Sequence, residues 1–398
     1  MSEIFLTIFF ISVLLFFLGS GIWVALSMIG VSAIGMMLFT SRPVGDAMAT
    51  TIWGTSSSWT LTALPLFVWM GEILFRTKLS ENLFKGLSPW LQKMPGGLIH
   101  VNVVGCALFA AISGSSAATV ATVGKMSIPE LRKRNYPEKI LLGSLAGSGT
   151  LGLLIPPSII LIIYGVAVQE SIAKLFIAGI IPGIMIALIF MTYVIIWSLI
   201  NKKEMPKILE EFSFLEKIKR SKQLLPVVLL ISAVIGSIYT GIATATEAAS
   251  LGVVGALILS HFQKSLSLDT FKSSLLGATK TSCMIAFILA GSTFLSLAMG
   301  FTGLPRNLAL WIQNMELSPY ILILVLMIFY IILGMFLDGI SAVVLTMAII
   351  EPMIRQAGFD MIWFGIFLVI VVEMAQITPP VGFNLFVLQG MANKDMGY

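Results

Sequence analysis

Two short runs of small, hydroxylated residues interrupt the apolar first half of the chain. They are Ser113-Gly-Ser-Ser-Ala-Ala-Thr119 and Gly147-Ser-Gly-Thr-Leu-Gly-Leu-Leu-Ile-Pro-Pro-Ser158. Hydroxyl and bared carbonyl oxygens suit Na⁺, and free N–H groups at the start of a helix suit a carboxylate. Because an unpaired backbone group costs several kcal/mol in a bilayer, such runs are expected to line a cavity.

A second copy of this arrangement lies in the other half of the chain. It consists of Asp338-Gly-Ile-Ser-Ala342 followed by Thr378-Pro-Pro-Val-Gly-Phe-Asn384. Small residues at such positions can also serve only to let helices pack closely. The repetition together with the Pro-Pro pairs, which break a helix, favours a functional site built from both copies.

The composition is that of a polytopic membrane protein. Of 398 residues, 58% are hydrophobic and 11% are charged, and the mean hydropathy is +1.00; soluble domains have roughly 45–50% apolar and about 25% charged residues. At about 20 residues per span there is room for about ten spans, in an all-α fold. Met1 to Leu18 lacks the features of a cleaved signal and is predicted to be a retained first helix. The two cysteines imply no disulfide framework.

The basic residues indicate the orientation of the chain. The net charge is +5, but twenty of the 24 Lys and Arg residues fall in loops on one side of the predicted spans. The other side keeps Arg42, Lys174, Arg306 and Arg355. The positive-inside rule therefore predicts an external, periplasmic N-terminus, and the distribution argues against nucleic-acid binding.

The spans divide into two inverted halves. Gly96–Gly124 is flanked at both ends by basic loops, so it is predicted to enter the membrane and return as a hairpin, with its tip at Ser113–Thr119. Ile140–Val168 is predicted to be a broken helix. Trp311-Ile-Gln-Asn-Met315 matches Trp90-Leu-Gln-Lys-Met94, yet the two lie on opposite sides by charge. This indicates an inverted repeat.

The resulting division has four parts. Residues 1–95 hold the first scaffold helices, a polar outer loop at 40–60 and a cytoplasmic interfacial helix; residues 96–172 form transport half 1. Residues 173–316 hold linking and second scaffold helices with an external interfacial helix at Leu304–Met315. Residues 317–398 form transport half 2, with a hairpin at Tyr320–Glu351 and a broken helix at Met361–Gln389. Since Leu175–Ile200 has no counterpart in the second half, a further helix is expected after Tyr398.

Asp338, Glu247 and Glu373 are three acids in apolar sequence that could have a role. Asp338 is the acid at a hairpin tip, where a charge costs at least ~2.5–3.5 kcal/mol. It could ligate a cation, position a hydroxylated substrate, carry a proton or cap the returning helix. Glu247 is expected to cap its own helix. Glu373 could bond a neighbouring helix or act directly in transport.

Five ordered motifs resemble one family. They are Gly114-Ser-Ser-Ala-Ala-Thr119, Ile155-Pro-Pro-Ser158, Ala245-Thr-Glu-Ala-Ala249, Leu337-Asp338 and Thr378-Pro-Pro-Val-Gly382. Together they resemble the large membrane subunit of tripartite ATP-independent periplasmic (TRAP) transporters, of the ion transporter superfamily. The resemblance implies a Na⁺-driven elevator-type importer in the bacterial inner membrane. It also implies a small four-helix membrane subunit and a soluble periplasmic binding protein as partners, and an organic acid such as a sialic acid or a four-carbon dicarboxylate as substrate.

The predicted site joins both halves. The residues predicted for Na⁺ are Ser115, Ser116, Gly147, Thr150, Gly339, Ser341, Thr378 and Gly382. The residues predicted for the substrate are Thr119, Pro157, Asp338, Pro380 and Asn384. The alternatives are a stand-alone carboxylate symporter, a channel and an intramembrane enzyme. An enzyme would need paired aspartates or a His-Glu-x-x-His zinc motif, and the sequence has neither, so no enzymatic activity is predicted.

Overall fold

A computed structural model of the protein describes residues 3–77, 79–206, 212–222, 224–305, 307, 310, 318–335, 337–379 and 382–392. Every regular element in these ranges is helical. A short 3₁₀ helix spans Trp59–Thr62. The α-helices are Glu3–Gly19, Val24–Phe39, Val44–Ser56, Ala63–Phe75, Leu79–Leu91, Ile99–Ser113, Ser116–Lys133, Glu138–Gly149, Leu151–Leu154, Ile159–Ala167, Ile172–Ile200, Phe214–Ser221, Leu225–Tyr239, Ala245–Phe262, Leu268–Thr302, Pro319–Gly334, Gly339–Gln356, Met361–Gln376 and Phe383–Ala392.

The lengths and surfaces of these helices are those of a multi-pass membrane protein. In the described ranges four single helices are long and apolar enough to cross a membrane, and seven spans result if each of three bent pairs counts as one. Large apolar side chains face outward along the longest helices; Ile181, for example, is 76% exposed. An apolar surface of this kind requires lipid around it.

The first hairpin and broken helix form as predicted. Hairpin 1 consists of Ile99–Ser113 and Ser116–Lys133. Gly114 turns the chain with φ of +59°, a conformation that favours glycine, and its N–H bonds the carbonyl of Ala110. Broken helix 1 runs from Glu138 to Ala167 and bends by 40° before Ile159. The break falls at the predicted Pro-Pro pair, because proline cannot donate the backbone bond that a continuous helix needs.

The second half repeats this pattern. Hairpin 2 consists of Pro319–Gly334 and Gly339–Gln356, and broken helix 2 consists of Met361–Gln376 and Phe383–Ala392. These elements confirm the fold class predicted from the sequence. Most of the predicted external interfacial helix, including Trp311 to Met315, lies outside the described residues.

One prediction about the outer surface was wrong. The segment expected to be a polar loop at 40–60 contains the helix Val44–Ser56. None of its residues is buried, and Trp53 is 75% exposed. The many Thr, Ser and Gly residues indicated a loop, whereas packing of one side of the segment against the helix Leu268–Thr302 stabilises a helix there.

The helix Ile172–Ile200 packs against the transport elements. A Cβ added at Gly179 would lie 2.9 Å from the Leu154 carbonyl oxygen, and one at Gly183 would lie 2.8 Å from the Ile155 side chain. This helix therefore packs against the break of broken helix 1. The division predicted from the sequence had grouped it with the second scaffold helices. The four-part division itself stays a prediction.

Side-chain hydrogen bonds tie the two transport halves together. The Tyr164 hydroxyl donates to the Met361 carbonyl at 2.7 Å, and the Arg355 guanidinium donates to the Val168 carbonyl at 2.9 Å. We call hairpins 1 and 2 with both broken helices the transport unit. The scaffold consists of Val24–Phe39, Ala63–Phe75, Ala245–Phe262 and Leu268–Thr302, which pack on one another.

Candidate substrate and ion site

A cavity of about 530 Å³ lies between the scaffold and the tips of both hairpins. Its scaffold wall includes Val68, Gly71, Glu72, Phe75, Thr281, Met284 and Ile288. Its transport wall includes Ser113, Gly114, Ser115, Ala117, Ala118, Ala121, Leu153, Ile159, Asp338, Ile340, Ser341 and Phe383. The two interrupted motifs, more than 200 residues apart in sequence, thus open onto one space, as the inverted repeat predicts.

The tip of hairpin 1 is held rigid by its own hydroxyl groups. The hydroxyls of Ser113 and Thr119 are 2.7 Å apart, and Thr119 Oγ1 donates to the Ser115 carbonyl at 2.8 Å. The Ile159 N–H donates to the Gly114 carbonyl at 3.3 Å, which fastens the tip to broken helix 1. Thr119 is fully buried, so it shapes the tip from beneath the cavity.

The returning helix of hairpin 1 presents an uncapped N-terminus to the cavity. Ser115 is the N-cap residue and has extended backbone geometry, but its side chain makes no capping hydrogen bond. Ala117 and Ala118, in the first turn, line the cavity. The first N–H groups of a helix have no partner within the helix and carry partial positive charge, so this end suits an anion.

Hairpin 2 differs at the matching place. Asp338 is the N-cap residue of Gly339–Gln356, and its Oδ2 accepts a hydrogen bond of 3.1 Å from the Ser341 N–H. The carboxylate therefore satisfies one of the N–H groups at this helix end and adds negative charge there. Ser341 is 4% exposed and lines the cavity beside Asp338.

The predicted residues at the helix breaks lie away from this cavity. The Thr150 hydroxyl donates to the Gly147 carbonyl at 2.8 Å, and Gly147 faces the ring of Phe190. The Thr378 hydroxyl donates to the Met374 carbonyl at 2.6 Å, and Gly382 has φ of +52°.

Asn384 is also inside the protein. It is fully buried, and within the described ranges neither its amide oxygen nor its amide nitrogen has a hydrogen-bond partner. Pro157 lies beneath the hairpin tip, where its carbonyl oxygen is 2.9 Å from the Cβ position of Gly114. Pro380 is outside the described residues.

The structure thus brings part of the predicted set together. Ser115, Ser341 and Asp338 line the cavity. Ser116 and Gly339 begin the two returning helices and both contact Gln376 directly behind the tips. The binding roles of all the predicted residues stay predictions.

Two side chains near the site were not predicted. Glu72 lines the scaffold wall and pairs with Arg76 at 2.9 Å. Gln376 is 3% exposed, and its Oε1 accepts a 2.6 Å hydrogen bond from the Ser116 hydroxyl. A polar residue two positions before Thr378 in an apolar run is the signal that could have identified Gln376, because a buried amide needs a partner.

A cation at this site would depend on oxygen atoms of hydroxyls and carbonyls. In the described part of the chain no group of three or more His, Cys, Asp or Glu residues could hold a metal ion. Among the described residues that line the cavity, the charged side chains are Glu72 and Asp338. Hard cations such as Na⁺ accept neutral oxygen ligands, and unwound helix ends provide them.

The fold and the cavity define a membrane transporter with inverted repeats. Among solved structures, the YdaH transporter of Alcanivorax borkumensis matches with a TM-score of 0.67 and 11% identity, over 97% of this chain and 92% of that one. At this identity the likeness concerns the fold alone.

The family is given by the sequence comparisons. The family model described as "Tripartite ATP-independent periplasmic transporter, DctM component" matches residues 9–397. The C4-dicarboxylate TRAP transporter large permease protein DctM of Pseudomonas aeruginosa is 34% identical over 366 residues, or 92% of this chain and 85% of that protein. The chain belongs to the DctM family of TRAP transporter large permeases.

Other relatives carry different substrate names. The 2,3-diketo-L-gulonate TRAP transporter large permease YiaN of Escherichia coli is 31% identical, over 87% of this chain and 81% of that protein. The isethionate TRAP transporter permease DctMQ of Oleidesulfovibrio alaskensis is 31% identical, over 95% of this chain and 59% of that protein. These relatives are named as transporter permeases, which are not enzymes.

Proposed function

We propose that this chain imports an organic acid together with Na⁺, with the acid in the cavity between the hairpin tips and Na⁺ at the tips and at the helix breaks. The observation that carries the proposal is the cavity itself, which both tips line and into which the uncapped helix of hairpin 1 opens. Its volume of about 530 Å³ is in the range of small-molecule sites.

The carboxylate of the substrate binds at the start of the returning helix of hairpin 1. The N–H groups of Ala117 and Ala118 supply partial positive charge there, and no Lys or Arg is among the lining residues that the structure describes. The relatives are named for dicarboxylates, a diketogulonate and isethionate, all organic anions. A dicarboxylate-like anion or a sugar acid, sialic acid included, fits the same chemistry.

Na⁺ compensates the negative charge that the substrate brings beside Asp338. Ser115, Ser116, Gly339 and Ser341 at the tips, with Gly147, Thr150, Thr378 and Gly382 at the breaks, supply its oxygen ligands. Because Asp338 adds negative charge to the wall of the cavity, whereas Glu72 is paired with Arg76, an anion enters more readily when cations accompany it.

The movement proposed is that of an elevator. Internal hydrogen bonds such as Tyr164 to Met361 hold the transport unit together, which suits motion as one body against the scaffold. One bond that such a motion would break joins the Ser292 hydroxyl of the scaffold to the Val344 carbonyl of hairpin 2, at 2.6 Å. An interface that is held by few hydrogen bonds can slide more readily than one that is held by many.

The proposed setting is the bacterial inner membrane, with the N-terminus in the periplasm. A periplasmic binding protein delivers the substrate, and a small four-helix membrane subunit completes the transporter. The family description as tripartite and the charge distribution of the loops support this arrangement.

The test is uptake into liposomes that contain the chain with its small membrane subunit. Radiolabelled succinate, a sugar acid and a sialic acid are offered with and without the binding protein, under an imposed Na⁺ gradient or proton gradient. The expected result is uptake of one acid that requires both Na⁺ and the binding protein. Uptake driven by protons alone would overturn Na⁺ coupling, and uptake without the binding protein would make the chain a stand-alone symporter.

A further inference from the structure

The side chain of Gln376 lies between the returning helices of the two hairpins. Its Oε1 accepts the 2.6 Å bond from the Ser116 hydroxyl, and Ser116 is the first residue of the returning helix of hairpin 1. A Cβ added at Gly339, the first residue of the returning helix of hairpin 2, would lie 2.6 Å from Gln376 Nε2. One buried amide therefore contacts the start of both helices.

This contact breaks the symmetry of the repeat. Pro379 and Pro380 correspond to Pro156 and Pro157, and the same spacing pairs Ser116 with Gly339 and Gln376 with Leu153. Leu153 Cδ1 lies 3.4 Å from the same Cβ position of Gly339. An apolar side chain therefore fills the equivalent place in the first repeat. Packing alone therefore does not require an amide at this place in the second repeat. Burying the amide of Gln376 costs free energy unless the amide is hydrogen-bonded.

We infer that Gln376 is a positioning residue that couples the two hairpin tips, so that Na⁺ binding at one tip favours Na⁺ binding at the other. This inference rests on the proposed function, which places Na⁺ at both tips. A hydroxyl can give a lone pair to a cation while it donates its proton to a second acceptor. Na⁺ bound by the Ser116 oxygen would polarise that hydroxyl and strengthen its bond to Gln376.

The strengthened bond has a consequence at hairpin 2. It fixes the plane of the Gln376 amide, and the other end of that amide lies against Gly339. Gly339 directly follows Asp338, whose carboxylate caps the same helix. An ordered Gly339 backbone presents its carbonyl and the Asp338 carboxylate in one arrangement, so the second cation binds without the cost of ordering them.

The chain offers well-matched variants for a test. Gln376→Leu introduces the residue of the first repeat, which is similar in size but cannot bond Ser116. Gln376→Met is a second unbranched replacement that keeps the packing, in case the first variant folds poorly. Tyr164→Phe is the control, because it also removes a buried bond between the two halves, at 2.7 Å, but away from the tips.

The experiment measures equilibrium binding of radiolabelled Na⁺ to the purified chain with its small membrane subunit, at constant ionic strength in choline. For the unmodified protein and Tyr164→Phe we expect a Hill slope of about 1.5 or more, within the limit set by the number of sites. For Gln376→Leu and Gln376→Met we expect the same total Na⁺ bound, a slope of about 1 and weaker half-saturation.

Each other outcome is decisive. An unchanged slope in both Gln376 variants would overturn this inference alone, as would a slope of about 1 in the unmodified protein. Loss of one bound Na⁺ in the variants would make Gln376 a ligand and not a coupling residue. If the unmodified protein binds no Na⁺, the proposed Na⁺ coupling falls together with this inference.

Discussion

Asp338 caps the returning helix of hairpin 2 through its 3.1 Å hydrogen bond from the Ser341 N–H. The matching residue of hairpin 1, Ser115, makes no capping bond with its side chain. The two tips are alike in backbone and opposite in electrostatics, since one is already neutralised by its own carboxylate and the other keeps its free N–H groups. The proposed function therefore places the substrate carboxylate at hairpin 1 only, although it places Na⁺ at both tips.

The charge of Asp338 can be separated from its capping role. Asn caps a helix about as well as Asp, so Asp338→Asn should leave the free energy of unfolding nearly unchanged, whereas Asp338→Ala should lower it by about 1 kcal/mol. We expect both variants to raise the Na⁺ concentration for half-maximal uptake about tenfold, or ~1.4 kcal/mol in binding. Normal Na⁺ dependence in Asp338→Asn would show that the carboxylate only caps the helix.

A carboxylate placed in the first turn of the hairpin 1 helix should compete with the substrate. Ala117→Asp sets a negative charge where the substrate carboxylate is proposed to bind, and it should stabilise the helix by about 0.3–1 kcal/mol. Uptake of the organic acid should nevertheless be lost. Ala117→Asn, of equal size and without charge, is the matched control and should keep measurable uptake. Equal uptake by the two variants would place the anion elsewhere.

The fit of hairpin 1 against broken helix 1 depends on Gly152. A Cβ at this position would lie 2.5 Å from the Ser115 carbonyl oxygen and 2.7 Å from Thr119 Oγ1. Gly152→Ala should therefore displace the tip, reduce thermal stability and abolish uptake, at a cost of about 1–3 kcal/mol. Gly143 lies in the same broken helix, and no atom of the described part of the chain is within 4 Å of its Cβ position.

Gly143→Ala is thus the control for that change. Because alanine is favoured over glycine in a helix, it should raise stability by up to about 1 kcal/mol and leave uptake unchanged. Thermal unfolding and uptake measured side by side check both variants. If Gly152→Ala changed neither thermal stability nor uptake, the tip of hairpin 1 would be free to move relative to broken helix 1.

Tyr136 fastens the start of hairpin 1 from the loop that follows it. Its hydroxyl accepts a 2.9 Å hydrogen bond from the Leu98 N–H, and burial raises its pKa, so the phenol stays neutral at physiological pH. Tyr136→Phe should lower the free energy of unfolding by about 1 kcal/mol because it leaves a buried N–H unpaired. The substitution Tyr239→Phe, at a side chain that is 65% exposed, should have no measurable effect. Equal unfolding curves for the two variants would contradict the role of Tyr136.

The arrangement of helices could be predicted from the sequence because the residues that indicate it act through the conformation of the backbone. Gly114 favours a turn and the Pro-Pro pairs interrupt a helix, so these residues predict the first hairpin tip and both helix breaks from the local sequence. The prediction of a loop at 40–60 was wrong because the helix in this segment depends on packing against a helix that is distant in sequence. Gln376 was missed for a related reason. The sequence shows a polar residue in an apolar run, but its partner Ser116 lies 260 residues away, so the contact itself could not be predicted from the local pattern.

The central claim is that one cavity, lined by both hairpin tips, opens to each side of the membrane in turn. It is tested by labelling Ala121→Cys, a cavity-lining position, in a background of Cys106→Ala and Cys283→Ser, with a thiol reagent that does not cross membranes. We predict labelling from the cytoplasmic face at rest, because Phe75, beside Arg76 at the basic end of its helix, lines this cavity. With Na⁺ and the loaded binding protein present, labelling should shift to the external face. Labelling from both faces under one condition, or from one face under all conditions, would contradict the account.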